Sequence, residues 1–462
     1  MVQLPLVREA IKRRGAVVML GSILIGLLLS RFIMISPRAG IMFLSAAILL
    51  SITVAIRKID YLIFAWLVLT SVINLILWNV LPEHYYPFAG RGIFWGILVA
   101  TIVAWGVDKI LTGRQFVPFD NVALKVTILI FILWCILSMF ASIDLYNSLK
   151  QLSKIVIAFV ASYMFYDFFS QDQKNIEKLI RLVFLIIIAI SFSVVVMSGY
   201  CLVSGRPIYK QITVWFWNPN ALGFILFICT PILITNGLHF VSNRAAKFLV
   251  VTIMLLALFF SFSRTSWVAV SVSLVVLLWR SRIKISMSLV IVIGLFVTAL
   301  AFPVVVENVY EYFSGEQYTG RREIWRAAWN IACDYPLLGV GIGNALRVMP
   351  QHIETSWLRS QDTHNVYLKN ALEMGFVSAF ILLAFYVIFL YCSWRIERDL
   401  KSDYLKLLTR GSAASLLGLF VHGILENGSL GTAFSAADFG VMFPYVLIAL
   451  PFAAKRLEEK KG

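Results

Sequence analysis

The sequence predicts an all-α integral membrane protein that crosses the bilayer about 12 to 14 times. Apolar residues make up 60% of the 462 residues and charged residues only 14%, well below the roughly one quarter that is usual in soluble domains. The mean hydropathy is +0.86. Runs of about 17 to 25 apolar residues, each long enough to cross ~30 Å of hydrocarbon as a helix, recur along the chain.

The predicted spans are distributed over the whole chain. They lie near residues 16–35, 40–56, 60–81, 90–107, 122–142, 150–169, 179–200, 211–236, 246–262, 265–280, 285–306, 365–394, 407–427 and 432–453. The short ones near 40–56, 265–280 and 407–427 are also consistent with re-entrant or paired segments, which explains the lower limit. The first span lacks a small-residue cleavage site and is followed by further spans, so we expect it to stay as an anchor.

Lysine and arginine are distributed unevenly between the two predicted sides of the membrane. With the N-terminus in the cytoplasm, 25 of the 40 basic residues fall on the inner side and 14 on the outer side, and Lys125 lies inside a span. Cytoplasmic loops carry an excess of positive charge, so both termini are expected in the cytoplasm. This topology explains much of the net charge of +16 without a nucleic-acid partner, and it places the long loop 307–364 outside.

Arginines cluster in or beside this outer loop, on the side that the positive-inside rule disfavours. They are Arg264, Arg321, Arg322, Arg326, Arg347 and Arg359. Arg264 is the sharpest case, because SFSRTSW lies between two apolar runs, and a charge so close to hydrocarbon usually faces a partner or a cavity. A bound anion would supply that partner. The hydroxyl of Ser263 would either bind the same anion or cap the adjoining helix. Snorkelling of the arginines to the bilayer surface is the alternative.

Residues 320–329 of the loop predict a short amphipathic helix, with Thr319 as its N-cap and Pro336 beyond its end. Arg322 and Arg326 share one face at i, i+4. Such a basic face suits a diphosphate, which guanidinium groups bind through paired hydrogen bonds, although an amphipathic helix also lies on a bilayer without any ligand. The alternating glycines of the following PLLGVGIGNAL indicate close packing between helices more than a phosphate-binding turn.

His364 opens the predicted span that begins HNVYLKNALEMG, with Asp362 and Thr363 as its expected helix caps. An imidazole at the outer end of a span, beside an arginine-rich loop, has the pKa range that is needed to take a proton from a hydroxyl near neutral pH. The five cysteines show no CxxC spacing, so neither a disulfide framework nor a metal site is expected.

Five short motifs in order resemble the O-antigen ligase and polymerase superfamily of bacterial cell envelopes. They are NPNALG (218–223), SFSRTSW (261–267), TGRREIW (319–325), PLLGVGIG (336–343) and THNVYLKNALEMG (363–375). The resemblance implies an all-helical membrane fold of the GT-C type. It also implies transfer of a glycan from undecaprenyl diphosphate to an acceptor hydroxyl at the periplasmic face, in lipopolysaccharide biosynthesis, without a metal or another cofactor.

The resemblance also assigns roles to residues. His364 corresponds to the histidine that activates the acceptor, and Arg264 and Arg321 to arginines that hold the diphosphate. We expect Arg322 and Arg326 to support this diphosphate site. Ser263, Asn365 and Arg347 are further candidates for contact with the substrate. A single displacement at the anomeric carbon would invert its configuration.

The motifs do not separate a ligase, which would use a lipid A-core acceptor, from a polymerase or a protein O-oligosaccharyltransferase. We favour the ligase. A transporter or flippase of lipid-linked glycans is a fourth interpretation, with Lys125, Lys150, Lys154, Asp144 and Asp167 along its path. The expected organisation is an N-terminal membrane part (1–210), a ligase-like core (211–394) and a C-terminal part with a basic tail (395–462). The expected location is the inner membrane.

Overall fold

The computed structural model describes residues 98–99, 101–110, 112–209, 219–280, 317–426 and 438–461. This part of the chain is 83% helical and contains no strand, which confirms the predicted all-α class. The chain divides into two compact units, Met1–Pro118 and Phe119–Gly462. The first unit is described only near its end, where residues 101–110 are helical. The predicted spans at 16–35, 40–56, 60–81 and 285–306 lie outside the described residues.

The second unit is a bundle of helices in which segments of the loop predicted to lie outside are packed among the spans. Its helices are α1 (Val122–Ser138), α2 (Leu145–Phe169), α3 (Gln173–Ser204), α4 (Pro219–Thr235), α5 (Arg244–Phe260), α6 (Arg264–Arg280), α7 (Gln317–Asp334), α8 (Ala345–Val348), α9 (Val366–Asp399), α10 (Asp403–Leu425) and α11 (Asp438–Glu459). Short 3₁₀ turns cover Met139–Ala141, Gly237–Phe240, Met349–His352 and Ser356–Ser360.

Five helices of the described part are long and apolar enough to cross a membrane: Val122–Ala141, Leu145–Phe169, Gln173–Ser204, Val366–Asp399 and Asp403–Leu425. Each of them overlaps a predicted span, so the chain is a multi-pass membrane protein. Two shorter apolar helices, Asn220–Thr235 and Arg264–Leu277, also coincide with predicted spans. Helix α10 packs against α4, α6, α9 and α11, and it is therefore the central helix of this part of the bundle.

Helix α9 is interrupted at Gly375, whose φ of 78° and ψ of 167° are not helical. A Cβ atom at this position would overlap the carbonyl oxygen of Leu337, so only glycine fits both the conformation and the contact. The amide of Phe376, freed by the break, donates to the Pro336 carbonyl at 2.9 Å. The carbonyl of Met374 accepts from the indole of Trp134 at 2.8 Å. The PLLG segment of the outer loop therefore fits into a break in a span.

The remaining glycines of this loop also make close contacts. Gly339, Gly341 and Gly343 all have positive φ, and a Cβ at Gly339 would overlap the backbone of Glu373. A Cβ at Gly341 would meet the backbone of Ser142, at the start of the loop that leads to α2. The amide of Val340 donates to the Leu372 carbonyl at 3.1 Å. The structure therefore shows close packing here, as the sequence predicted.

Helix α7 is the predicted amphipathic helix of the outer loop, and it is longer than residues 320–329. It buries an alanine and isoleucine face, which includes Ile324, Ala328 and Ile331, against α9 and the loop. The helix begins at Gln317, so the prediction that Thr319 is its N-cap is wrong. Its apolar face packs inside the protein, and Arg322 and Arg326 lie on its exposed side.

Candidate active site at the end of helix α10

Glu426, the residue after the last turn of α10, connects several of the predicted motifs. Its Oε2 lies 2.9 Å from Nδ1 of His364. Its Oε1 accepts from Nη2 of Arg321 at 3.0 Å and from the side-chain Nδ2 of Asn220 at 2.7 Å. The carboxylate side chain is only 11% exposed. One buried carboxylate thus joins the NPNALG, TGRREIW and THN motifs.

His364 lies at the edge of this cluster and its side chain is 27% exposed. Its φ of 48° is left-handed, and among the described non-glycine residues only Phe262 shares this property. Strained backbone of this kind is concentrated at functional sites. The structure corrects one expectation here: Asn365 is the N-cap of α9, and its Oδ1 accepts from the Leu368 amide at 2.9 Å. Asp362 and Thr363 therefore do not cap the helix.

Asn365 thus uses its side-chain oxygen for the helix cap. Thr363 instead donates its hydroxyl to the Asn365 carbonyl at 3.2 Å, and its own carbonyl accepts from the indole of Trp325 at 2.9 Å. The turn that carries His364 is therefore bonded both to the start of α9 and to α7.

Arg321 reaches the cluster from the first part of α7. Its Nη1 donates to the Leu425 carbonyl at 3.0 Å, while its Nη2 binds Glu426. The side chain is 36% exposed. Glu323, two residues further along α7, accepts from both the amide and the hydroxyl of Thr355 at 3.0 and 2.7 Å. These bonds fix α7 to the loop.

The SFSRTSW segment approaches α10 one turn before Glu426. Thr265 places its hydroxyl 3.4 Å from Nε2 of His422, which is buried and stacked on Phe227. Ser263 is fully buried, and its hydroxyl lies 2.8 Å from that of Ser266. Arg264, between them, is half-buried at the first position of α6. Phe262, which has a left-handed backbone, also lies in this segment. The segment that carries Arg264 and the turn that carries His364 therefore each contain one strained residue.

The other predicted arginines are placed differently. Arg322 and Arg326 are exposed on α7. Arg347, on α8, forms an ion pair with Asp144, the N-cap of α2. Arg359 donates to the carbonyls of Ile353 and Glu354 within its own loop. Of the predicted residues, the structure therefore brings His364 and Arg321 into one hydrogen-bonded cluster and places the Arg264 turn against the same helix.

The charges of this cluster determine its protonation. Burial alone would raise the pKa of the Glu426 carboxyl, but its hydrogen bond to His364 and the positive charge of Arg321 hold this pKa below its usual value. An ionised carboxylate accepts hydrogen bonds and cannot donate them. Nδ1 of His364 must therefore carry the hydrogen, and in the neutral ring the lone pair lies on Nε2.

No group of three or more His, Cys, Asp or Glu side chains in the described part of the chain is arranged to hold a metal ion. Four of the five cysteines are buried, Cys333 on α7 is exposed, and all five are free thiols.

Residues 249–383 match the family model of O-antigen ligase. This segment is therefore similar to O-antigen ligases. The match confirms the superfamily resemblance that the motifs indicated. The matched segment includes Arg264, Arg321 and His364, whereas Asn220 and Glu426 lie outside it. No curated protein matches the chain.

Glu426 and Asn220 are the two members of the cluster that sequence reasoning did not select. A signal was present for Glu426, because it is a carboxylate at the end of a predicted span, and ionisable groups inside predicted spans mark functional sites by default. Asn220 belonged to a recognised motif, but nothing in the sequence showed that its amide faces a carboxylate 206 residues away.

Proposed function

We propose that this protein is a glycosyltransferase that moves a glycan from undecaprenyl diphosphate to an acceptor hydroxyl at the periplasmic face of the inner membrane. The observation that carries the proposal is the hydrogen-bonded group of His364, Glu426 and Arg321. This group combines a base that has an oriented lone pair with a guanidinium. His364 and Arg321 lie in the segment that matches the family model of O-antigen ligase.

His364 acts as the general base. Because Glu426 holds Nδ1–H, Nε2 is free to accept the proton of the acceptor hydroxyl. The acceptor oxygen then bonds to the anomeric carbon of the first sugar, and the bond from this carbon to the diphosphate oxygen breaks. The electron pair leaves with undecaprenyl diphosphate. Attack opposite to the leaving group inverts the anomeric configuration, so a retained configuration in the product would contradict this step.

Guanidinium groups stabilise the leaving diphosphate. Arg321 binds Glu426 and its side chain is 36% exposed, and Arg264 begins α6, where the helix dipole also favours an anion. Arg322 and Arg326 add positive charge on the exposed side of α7. Fixed cationic donors aimed at a developing negative charge are a major source of catalysis. We propose that these guanidinium groups take the role that a divalent cation has in other reactions with a phosphate or diphosphate leaving group.

We favour a ligase with a lipid A-core acceptor over a polymerase or a protein O-oligosaccharyltransferase. The transporter interpretation loses support because two of its charged residues have local partners. Asp144 caps α2 and pairs with Arg347, and Asp167 accepts from Gln171 at 3.4 Å. Ser263, Asn365 and Arg347 remain proposals for substrate contact, although each already has a partner within the protein.

The test is reconstitution of the purified protein in liposomes with a synthetic undecaprenyl diphosphate-linked oligosaccharide. Lipid A-core, a second carrier-linked oligosaccharide and an acceptor protein are offered separately. We expect glycan transfer to lipid A-core, and His364→Ala should lower kcat by ~10² to 10⁴. Binding of undecaprenyl diphosphate alone should be unchanged in this variant. Transfer only to the carrier-linked oligosaccharide would replace ligase by polymerase, and wild-type kcat in His364→Ala would refute the assigned base.

A further inference from the structure

The turn that carries His364 contains an ion pair that the proposed reaction does not use directly. Lys369, on the second turn of α9, donates from Nζ to Oδ2 of Asp362 at 2.6 Å. Lys369 is only 9% exposed although it lies in a membrane-spanning helix. Oδ1 of Asp362 accepts from the backbone amide of Thr363 at 2.8 Å. The ion pair thus connects α9 to the residue that directly precedes His364.

The backbone of His364 needs such support. A non-glycine residue in the left-handed region is strained by about 1 to 3 kcal/mol and persists only where its surroundings determine it. Asp362 fixes the amide of Thr363, Trp325 fixes its carbonyl, and Asn365 caps the helix that follows. The Lys369–Asp362 pair is the only one of these contacts between two charged side chains, which are 11% and 27% exposed.

Stability is a poor explanation for this pair. Transfer of two charges out of water costs several kcal/mol per ion, and replacement of a buried ion pair by well-packed neutral side chains is often neutral or stabilising. A lysine in an apolar helix, where methionine would fill the same space, therefore indicates another role. Glu373, buried one turn further along α9, accepts from the Ala345 amide at 3.2 Å and lies on the same face of the helix.

We propose that the Lys369–Asp362 ion pair is a positioning device that holds the His364 turn in its left-handed conformation and so keeps Nδ1 against Glu426. Neither residue touches the substrate. The inference rests on the proposed function for its kinetic consequence, but the position of the imidazole is measurable without any substrate.

A second ion pair that involves α9 supplies a matched control. Arg410 of α10 donates to Glu397 of α9 at 2.7 Å, and their side chains are 18% and 12% exposed. Both pairs involve α9 and in each at least one side chain is less than 20% exposed, but Arg410 and Glu397 lie near the other end of α9. Neutralisation of this pair should affect the thermal midpoint as neutralisation of the Lys369–Asp362 pair does, and it should leave the position of the His364 imidazole unchanged.

The experiment compares Lys369→Met/Asp362→Asn with Arg410→Met/Glu397→Gln. Kinetics are measured on the synthetic undecaprenyl diphosphate-linked oligosaccharide with lipid A-core as acceptor. Thermal midpoints are measured in detergent. The reaction of His364 with diethyl pyrocarbonate is followed by peptide mass spectrometry, which requires no substrate. Asp362→Glu is a second variant: it keeps both charges but moves the carboxylate away from the Thr363 amide.

For the Lys369 pair we expect a thermal midpoint close to wild type, a kcat lowered by about 10- to 100-fold with unchanged donor KM, and faster modification of His364. The Arg410 pair should show neither kinetic nor chemical change. Asp362→Glu should lower kcat while its thermal midpoint stays at the wild-type value. If the double variant does not fold, the result for Asp362→Glu decides whether the positioning role holds. Wild-type kcat and wild-type His364 modification in Asp362→Glu or in the Lys369 double variant would overturn the inference.

The two proposals fail in different ways. If the wild-type protein transfers no glycan but His364 modification still rises in the Lys369 pair variant and not in the control, the positioning role stands and the proposed function fails. If His364→Ala abolishes transfer while the Lys369 pair variant keeps wild-type kcat, the function stands and the positioning role fails.

Discussion

The carboxylate of Glu426 binds His364 and Arg321, which are 62 and 105 residues away from it in the chain. Glu426→Gln tests its role with little change in shape. The glutamine amide has an NH₂ donor at one end, and this end would face either Arg321 or the Nδ1–H of His364, which are themselves donors. The imidazole ring of His364 would therefore lose its fixed orientation. We expect kcat to fall by ~10² or more, as for other carboxylates that orient a catalytic histidine.

The matched control for this substitution is Glu397→Gln, which changes another buried carboxylate that binds an arginine. It should lower the thermal midpoint but leave kcat near the wild-type value. Equal kinetic losses in the two variants would show that Glu426 contributes only to stability.

At the residue scale, sequence reasoning found the side chains with distinctive chemistry and missed the one that joins them. His364 and Arg321 were predicted because an imidazole and an outer-side guanidinium are unusual in an apolar chain. Contacts such as Glu426 to His364 depend on how α10 packs against α9, and hydropathy carries no information about this packing. For the same reason the sequence did not show that Asp144 is the partner of Arg347. The transporter interpretation instead placed Asp144 along a transport path.

At the scale of elements, the interruption of α9 at Gly375 is the feature with the clearest steric cause. Gly375→Ala would place a methyl group on the Leu337 carbonyl oxygen and force a residue with a side chain to φ of 78°. We expect a loss of stability of about 1 to 3 kcal/mol, measured as a lower thermal midpoint, together with reduced transfer activity because the outer loop loses its contact with α9.

Gly199→Ala is the control for that substitution. Gly199 lies in α3 with no atom close to the added methyl group. Because alanine favours helix by about 1 kcal/mol relative to glycine, this variant should be as stable as wild type or slightly more stable. A Gly375→Ala protein with an unchanged midpoint would show that the interruption is not needed.

The long helices were predictable and their ends were less so. Apolar length alone indicated α2, α3, α9 and α10, since the hydrocarbon thickness sets the length of a span. Helix ends depend on single hydrogen bonds, which explains why Asn365 and not Asp362 or Thr363 caps α9. The interruption at Gly375 was invisible to hydropathy, because the apolar run continues through it. A glycine within an otherwise helical pattern was the only signal.

At the scale of the whole molecule, composition alone predicted the all-α membrane class, and the motifs predicted the similarity to O-antigen ligases that residues 249–383 show. The orientation in the membrane is the part of the prediction that depends only on charge counts. Those counts place loop 307–364, and with it helix α7, outside the cytoplasm. The proposed reaction requires the same side, because His364 is the last residue of this loop and the proposed acceptor lies at the periplasmic face.

Cys333 allows a direct test of this orientation. It lies on α7 and is exposed, while the other four cysteines are buried. In intact spheroplasts, a membrane-impermeant maleimide should therefore label the wild-type protein, and Cys333→Ser should abolish the labelling. Lys401, exposed between α9 and α10, is predicted to face the cytoplasm. Lys401→Cys in the Cys333→Ser background should be labelled only after the membrane is permeabilised. The reverse pattern would place the candidate site in the cytoplasm, where an acceptor at the outer face could not reach His364.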